Sequence, residues 1–162
     1  MRIRHATHMD LDQVMECYEA GIATMRACGN DRQWGNGYPS REIAGADVDA
    51  GQLIVAVDDD GTIVGCMSFI PGPDPTYAVI EGGAWLDDGP YHVVHRIATR
   101  ASGRGVGSTL MGWACDHTRC VRVDTHEVNV PMRRMLEGMG FSYCGVIHLE
   151  NGDPRVAYQR IS

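Results

Sequence analysis

Lysine is missing from this chain, and all 14 of its basic residues are arginine. That excludes lysine-based catalysis, and it excludes the nucleotide loop that ends in Gly-Lys-Ser/Thr. Long apolar runs are also missing. None approaches the ~18 residues that cross a bilayer, so no membrane partner is expected. Met1-Arg2-Ile3-Arg4-His5 is basic but leads into no apolar stretch, so no secretory leader is expected and a cytoplasmic setting is. The six cysteines, at 17, 28, 66, 115, 120 and 144, contain no C-x-x-C pair. In a reducing compartment they read as small core hydrophobes. No metal site is expected: His5/His8 and His92/His95 are three apart, which on a strand puts the rings on opposite faces.

Excess positive charge is absent too. With 21 acids against 14 arginines the net charge is −7, which excludes a nucleic-acid partner. The charge is uneven: residues 1–95 carry 5 Arg and 15 acids, residues 96–162 carry 9 Arg and 6 acids. An anionic ligand suits the second half and a cationic one the first. At 162 residues, 44% apolar and 22% charged, the chain is expected to form one domain over 1–162 with a sizeable core.

The patterning predicts β-α-α-β-β-β-α-β-α-β-β, an α/β (α+β) mixed sheet. Strands fall at 2–5, 53–57, 62–70, 91–99, 121–124, 141–150 and 155–161. Leu11, Val14, Met15, Tyr18, Ile22 and Met25 mark a helix over 8–27, with Thr7 and Asp10 as its capping pair. A short acidic helix at 41–50, a helix at 106–118 and one opening at Pro131 complete the set. The loop 28–40 holds Trp34 and Tyr38, as a lid over the core or as a substrate wall. The Pro/Gly-rich stretch 71–90 is long for a connection inside a compact domain.

The chemistry concentrates in Ile97-Ala98-Thr99-Arg100-Ala101-Ser102-Gly103-Arg104-Gly105-Val106-Gly107-Ser108, a strand running through a glycine-rich turn into a helix. Alternating glycines let a ligand approach the backbone, and amides at a helix start attract anions, typically phosphates. Arg96, Arg100 and Arg104, with no acid among them, strengthen that reading. The dinucleotide fingerprint G-x-G-x-x-G fails, because Ser108 or Leu110 stands where its third glycine belongs.

This turn resembles the Q/R-x-x-G-x-G/A signature of the GNAT superfamily of acyl-CoA N-acyltransferases. Gly105 and Gly107 are the paired glycines and Ser102 stands at the Gln/Arg position; the register Arg100–Gly105 also fits literally. Asn129 through Gly140-Phe141 resembles the family's N-x-x-A…G-F segment, with Met132 at the alanine position. The strings HRIAT, VDTHEVN and MGFSYCG look like those of a bacterial subgroup.

The resemblance implies a mostly antiparallel twisted sheet of about seven strands flanked by about four helices. It implies acetyl-CoA, without a metal, lying in a gap between the strands at 91–99 and 120–124. Ile97, Ala98 and Thr99 would pair with pantetheine. Gly103, Arg104, Gly105, Val106, Gly107 and Ser108 would hold the pyrophosphate, and Asn129 would bond the pantetheine or simply cap its helix. The expected reaction moves an acetyl group to a primary amine of a small molecule or peptide. The alternative is a non-catalytic acyl-CoA sensor, because Leu136 stands where many members carry an acidic tyrosine.

Acylation needs a base for the ammonium and a donor for the oxyanion. His95, sharing a strand face with Ile97, is the first candidate base, Glu81 the second, and Asp124 or His126 the third; the Ile97 amide is the candidate oxyanion donor. Tyr143 and Cys144, just past Gly140-Phe141, are the nearest substitutes for the acid. Trp34, Tyr38 and Trp85 could wall an ammonium by cation–π contact, as the acidic first half would favour. A homodimer is left open.

Overall fold

A computed structural model describes residues 1–101 and 103–162. Seven strands form one sheet: β1 (Arg2–His5), β2 (Leu53–Val57), β3 (Ile63–Pro71), β4 (His92–Thr99), β5 (Cys120–Thr125), β6 (Ser142–His148) and β7 (Pro154–Ile161). Their spatial order is β1-β2-β3-β4-β5-β7-β6. Only the β4–β5 pair is parallel. Four helices, α1 (Leu11–Ala27), α2 (Arg41–Asp49), α3 (Val106–His117) and α4 (Val130–Gly138), follow the expected order.

Period-two alternation in β2 explains the layering. Leu53, Val55 and Val57 bury against Leu11, Val14 and Tyr18 of α1 and Ala44 of α2. Ile54 and Ala56 turn the other way, toward Leu110 and Met111 of α3 and Leu136 of α4. Both faces of the sheet are thus covered, and each fully buried Leu or Ile side chain stabilises by about 1.5–3 kcal/mol. Leu136 is therefore a core residue between α4 and the sheet.

The helix starts follow local chemistry. The Thr7 backbone N–H donates to Asp10 Oδ2 at 2.8 Å ahead of α1. Ser40 Oγ accepts from the Ile43 N–H at 3.2 Å in α2, and Asn129 Oδ1 accepts from the Met132 N–H at 3.4 Å in α4.

Two features of β4 shape the site. It pairs with β5 only at His92 and Val93, so the rest of its β5-facing edge has no strand beside it. It also carries one extra residue against β3, since Ser68 lies opposite His95 and Cys66 opposite Ala98. Arg96 in this bulge is left-handed at φ 52. The bulge corrects the expected alternation. His95 and Ala98 share the α1/α2 face with Ser68 and Cys66, while Ile97 packs on the α3 side, so His95 and Ile97 do not share a face.

The stretch 71–90 is not a plain linker. Pro75–Tyr77 forms a 3-10 turn capped by Asp74, Tyr77 is buried, and Glu81 bridges Val146 of β6 through two backbone hydrogen bonds.

Candidate active site

Where β4 leaves β5, two cavities open. The smaller, about 380 Å³, is lined by Ile97, Ala98, Thr99, Gly103, Gly105, Val106, Gly107, Ser108 and Asn129, together with the apolar side chains of Met25, Pro131, Met132 and Met135. Gly105 caps α3 at φ 72, a conformation that favours glycine. A Cβ on Gly107 would meet Met135 Sδ at 3.3 Å and Thr99 Cγ2 at 3.9 Å, so the floor of the cleft is backbone. The α3 N-terminus opens here, with its unpaired amides and the positive end of its dipole. Ser102, at the Gln/Arg position of the sequence motif, lies outside the described residues.

The arginines expected to reinforce this turn are engaged elsewhere. Arg96 Nη2 pairs with Asp47 Oδ2 at 2.8 Å, Arg100 Nη2 with Glu16 Oε2 at 2.5 Å, and Arg104 Nη2 with Asp58 Oδ2 at 2.9 Å. Arg104 does not line the cleft. The acids come from α2, α1 and the β2–β3 turn, far away in sequence.

The larger cavity, about 830 Å³, shares Met25, Ile97, Asn129 and Met132 with the smaller one. Trp34 and Tyr38 line it, the first buried edge-on against Tyr18 and the second 39% exposed. His95 also faces it, and its Nε2 lies 2.9 Å from Asp74 Oδ2. Burial works against the ionised Asp74, but hydrogen bonds from His95 and Thr76 outweigh it and hold the carboxyl down at about 2. Asp124 faces the same space, and its Oδ2 accepts from the Tyr77 hydroxyl at 2.6 Å. Burial, then the neighbouring Asp124, push the Tyr77 hydroxyl well up, so it stays a donor.

The cavity carries charges of both signs. Arg26, Arg32, Arg96 and Arg155 line it alongside Asp31, Asp124 and Asp153. Apart from Asp31, the acids of residues 1–95 are spread over outer surfaces and internal ion pairs.

Three sequence candidates lie apart from both cavities. Glu81 is exposed beside β6. Tyr143 is 50% exposed and stands edge-on to Tyr158. Trp85 donates Nε1–H to the Tyr77 carbonyl and already carries the Arg122 guanidinium over its ring at 4.1 Å, so its cation–π face is filled from within. His126, the remaining candidate, uses Nδ1 to accept from the Val128 N–H.

Asp74, Tyr77 and Arg155 escaped sequence reasoning. The run Asp74-Pro75-Thr76 was a readable cap signal, an Asx residue before a proline. No comparable local signal marks Arg155. Among the described residues no cluster of three or more His, Cys, Asp or Glu could hold a metal, and no helix is long and apolar enough to cross a membrane.

The acetyltransferase (GNAT) family model matches residues 15–141. Among solved structures, the chain is similar to a GNAT-family acetyltransferase from Streptococcus agalactiae, with 34% identity, a TM-score of 0.90, and coverage of 99% of this chain and 95% of that one. It shares its fold with a GNAT-family acetyltransferase from Listeria monocytogenes, at 18% identity and a TM-score of 0.73 over 99% and 94% of the two chains. The same holds for a ribosomal-protein-alanine N-acetyltransferase from Brucella melitensis, at 19% identity and a TM-score of 0.68 over all of both chains. No curated protein sequence matches the chain.

Proposed function

Because the chain belongs to the GNAT family of acetyltransferases, whose members carry out acyl-CoA-dependent acetyl transfer, we propose that it is an N-acetyltransferase. It moves an acetyl group from acetyl-CoA to a primary amine held in the larger cavity, by direct attack in a ternary complex. The observation that carries this reading is the junction of the two cavities at Met25, Ile97, Asn129 and Met132. A backbone-floored, apolar cleft ending at a helix N-terminus suits pantetheine and pyrophosphate, and it opens into a chamber lined by His95, whose imidazole is backed by the Asp74 carboxylate.

Acetyl-CoA supplies the activated thioester: the amine nitrogen forms the new C–N bond, the C–S bond breaks, and the thiol leaves with a proton. The residues of the chain do the rest. Amides of the turn at 103–108 hold the pyrophosphate. The unpaired edge of β4 at Ile97 and Thr99 hydrogen-bonds the pantetheine as an added strand would, and Asn129 adds a side-chain contact. The Ile97 amide meets the developing oxyanion. His95 takes the ammonium proton. With Nε2–H donated to Asp74, which orients the ring, Nδ1 is its basic nitrogen. No proton is assigned to Glu81 or Tyr143. A thiol of ordinary pKa, ~8.5, leaves without a strong acid, which accommodates a buried Leu136 at the family's tyrosine position. The six free cysteines suit a reducing, cytoplasmic setting.

The test is paired. Acetyl-CoA should raise the melting temperature, while NAD and ATP should not. Free CoA should then appear only when an amine is added. Stabilisation by acetyl-CoA with no CoA release across a broad amine panel would favour the acyl-CoA sensor instead.

A further inference from the structure

Arg155 is the unexplained group in the larger cavity. It opens β7, is only 5% exposed, and lines the chamber. Its one hydrogen bond runs from Nη1 to the carbonyl of Pro154, at 2.8 Å, and among the described residues it forms no ion pair. The other arginines of this cavity differ: Arg96 is held by Asp47, and Arg26 and Arg32 are exposed. A guanidinium largely withdrawn from bulk water with no carboxylate in contact is costly, and a planar fork of donors fits a carboxylate.

Asp124 stands beside it. In the β5–β7 register Asp124 lies opposite Ala157, and Arg155 is two residues along from Ala157, so strand alternation sets the two charges on one face as diagonal neighbours. The Tyr77 hydroxyl occupies Oδ2 of Asp124, and Oδ1 has no partner among the described residues. One wall of the chamber therefore offers an anion and a cation side by side, each with unused hydrogen-bonding capacity. The Asp124 end is the nearer to the open seam between β4 and β5.

We propose that the acceptor is a free α-amino acid, its carboxylate paired with Arg155 and its ammonium received by Asp124 at the seam. This rests on the larger cavity being the acceptor site. The indole of Trp34 and the side chains of Met25, Val94 and Leu149 leave apolar room for the substrate's side chain. Peptide amines lack the adjacent carboxylate and would leave Arg155 unpaired, as would plain amines.

The experiment compares L-alanine, L-methionine and L-phenylalanine, each beside its decarboxylated amine and its amino-acid amide, by CoA release and by calorimetric binding to the CoA-loaded protein. For at least one series, kcat/KM for the amino acid should exceed that of its two analogues by at least about 100-fold, a floor below the roughly 10⁴-fold reached where a site's buried polar groups are left unpaired. Arg155→Met should abolish that preference through KM, with the KM for acetyl-CoA unchanged. Arg155→Lys, which keeps the charge, should restore part of it and guards against a folding defect in the first variant. Amines or amides turned over as well as the amino acids would overturn the carboxylate site and leave acetyl transfer standing. An amino acid that binds through Arg155 but is never acetylated would uphold the carboxylate site and overturn acetyl transfer. A preference surviving intact in a folded Arg155→Met would also overturn the proposal.

Discussion

The two cavities that meet at Ile97 are built from different materials. The smaller is floored by backbone and small residues of one short stretch, 97–108, closed by apolar side chains of α4. The larger draws charged side chains from the loop after α1, from β4 and β5, and from the start of β7, and of these His95, Arg96 and Asp124 are each held by a partner side chain. A backbone floor binds whatever fits its shape and offers few handles for a point mutation. A chamber lined by charges selects by chemistry, and each charge is a separate handle. Changes on the donor side should therefore act through space, and changes on the acceptor side through protons and charge.

The sharpest break in that contrast is His95→Ala. It should lower kcat by about 10²–10⁴, the usual worth of a positioned base. Acetyl-CoA affinity measured by calorimetry should stay unchanged. Gly107→Val is the steric counterpart. Its branched side chain must compete with Met135 and Thr99 for the cleft. Overpacking of about 1–3 kcal/mol should weaken acetyl-CoA binding about 10- to 100-fold, with the far-UV spectrum preserved and amine handling untouched.

A third difference is in stability. The Asp74 carboxyl is held at about 2, below its unfolded value near 3.8. The unfolded chain therefore binds the proton more readily, and the contribution of about 2 kcal/mol is fully present above pH ~4 and lost as pH falls through 2. Denaturant titrations between pH 6 and 2 should show this slope in the wild type, and Asp74→Asn should remove it. The smallest effects are expected at positions the sequence nominated but the fold leaves aside. Tyr143→Phe should hold kcat within about twofold. Arg104→Ala should change acetyl-CoA affinity less than about threefold, because an exposed guanidinium already paired with Asp58 adds little.

These pairs also mark what the sequence could say. Element order, the glycine turn and Asn129 were legible because each is local: periodicity, turn chemistry and capping act within a few residues. His95 was legible as a residue but not in its orientation. The bulge that turns it away from Ile97 carries Arg96, and the carboxylate holding Arg96 is 49 residues away, on α2. The same distance blindness made Arg96, Arg100 and Arg104 look like free phosphate ligands. Arg155 follows an Asn-Gly-Asp turn at the mouth of a strand, where an arginine ordinarily points to water. Only the register against Asp124 turns it inward.

The open seam between β4 and β5 has a consequence for how the native state is completed. Sheet edges are normally confined to the outside, where an unpaired row of N–H and C=O groups is a site for unwanted pairing. This protein carries such an edge in the middle of its sheet, from residue 94 onward, with β5 only a few residues away. The sheet is in effect two blocks, β1–β4 and β5–β7–β6, joined through His92 and Val93, and on the function proposed above the acyl donor would take the place of the missing strand between them. Amide hydrogen exchange should register this directly: the amides at 97–99 should slow on addition of acetyl-CoA, while those of β2, paired on both sides, should not change.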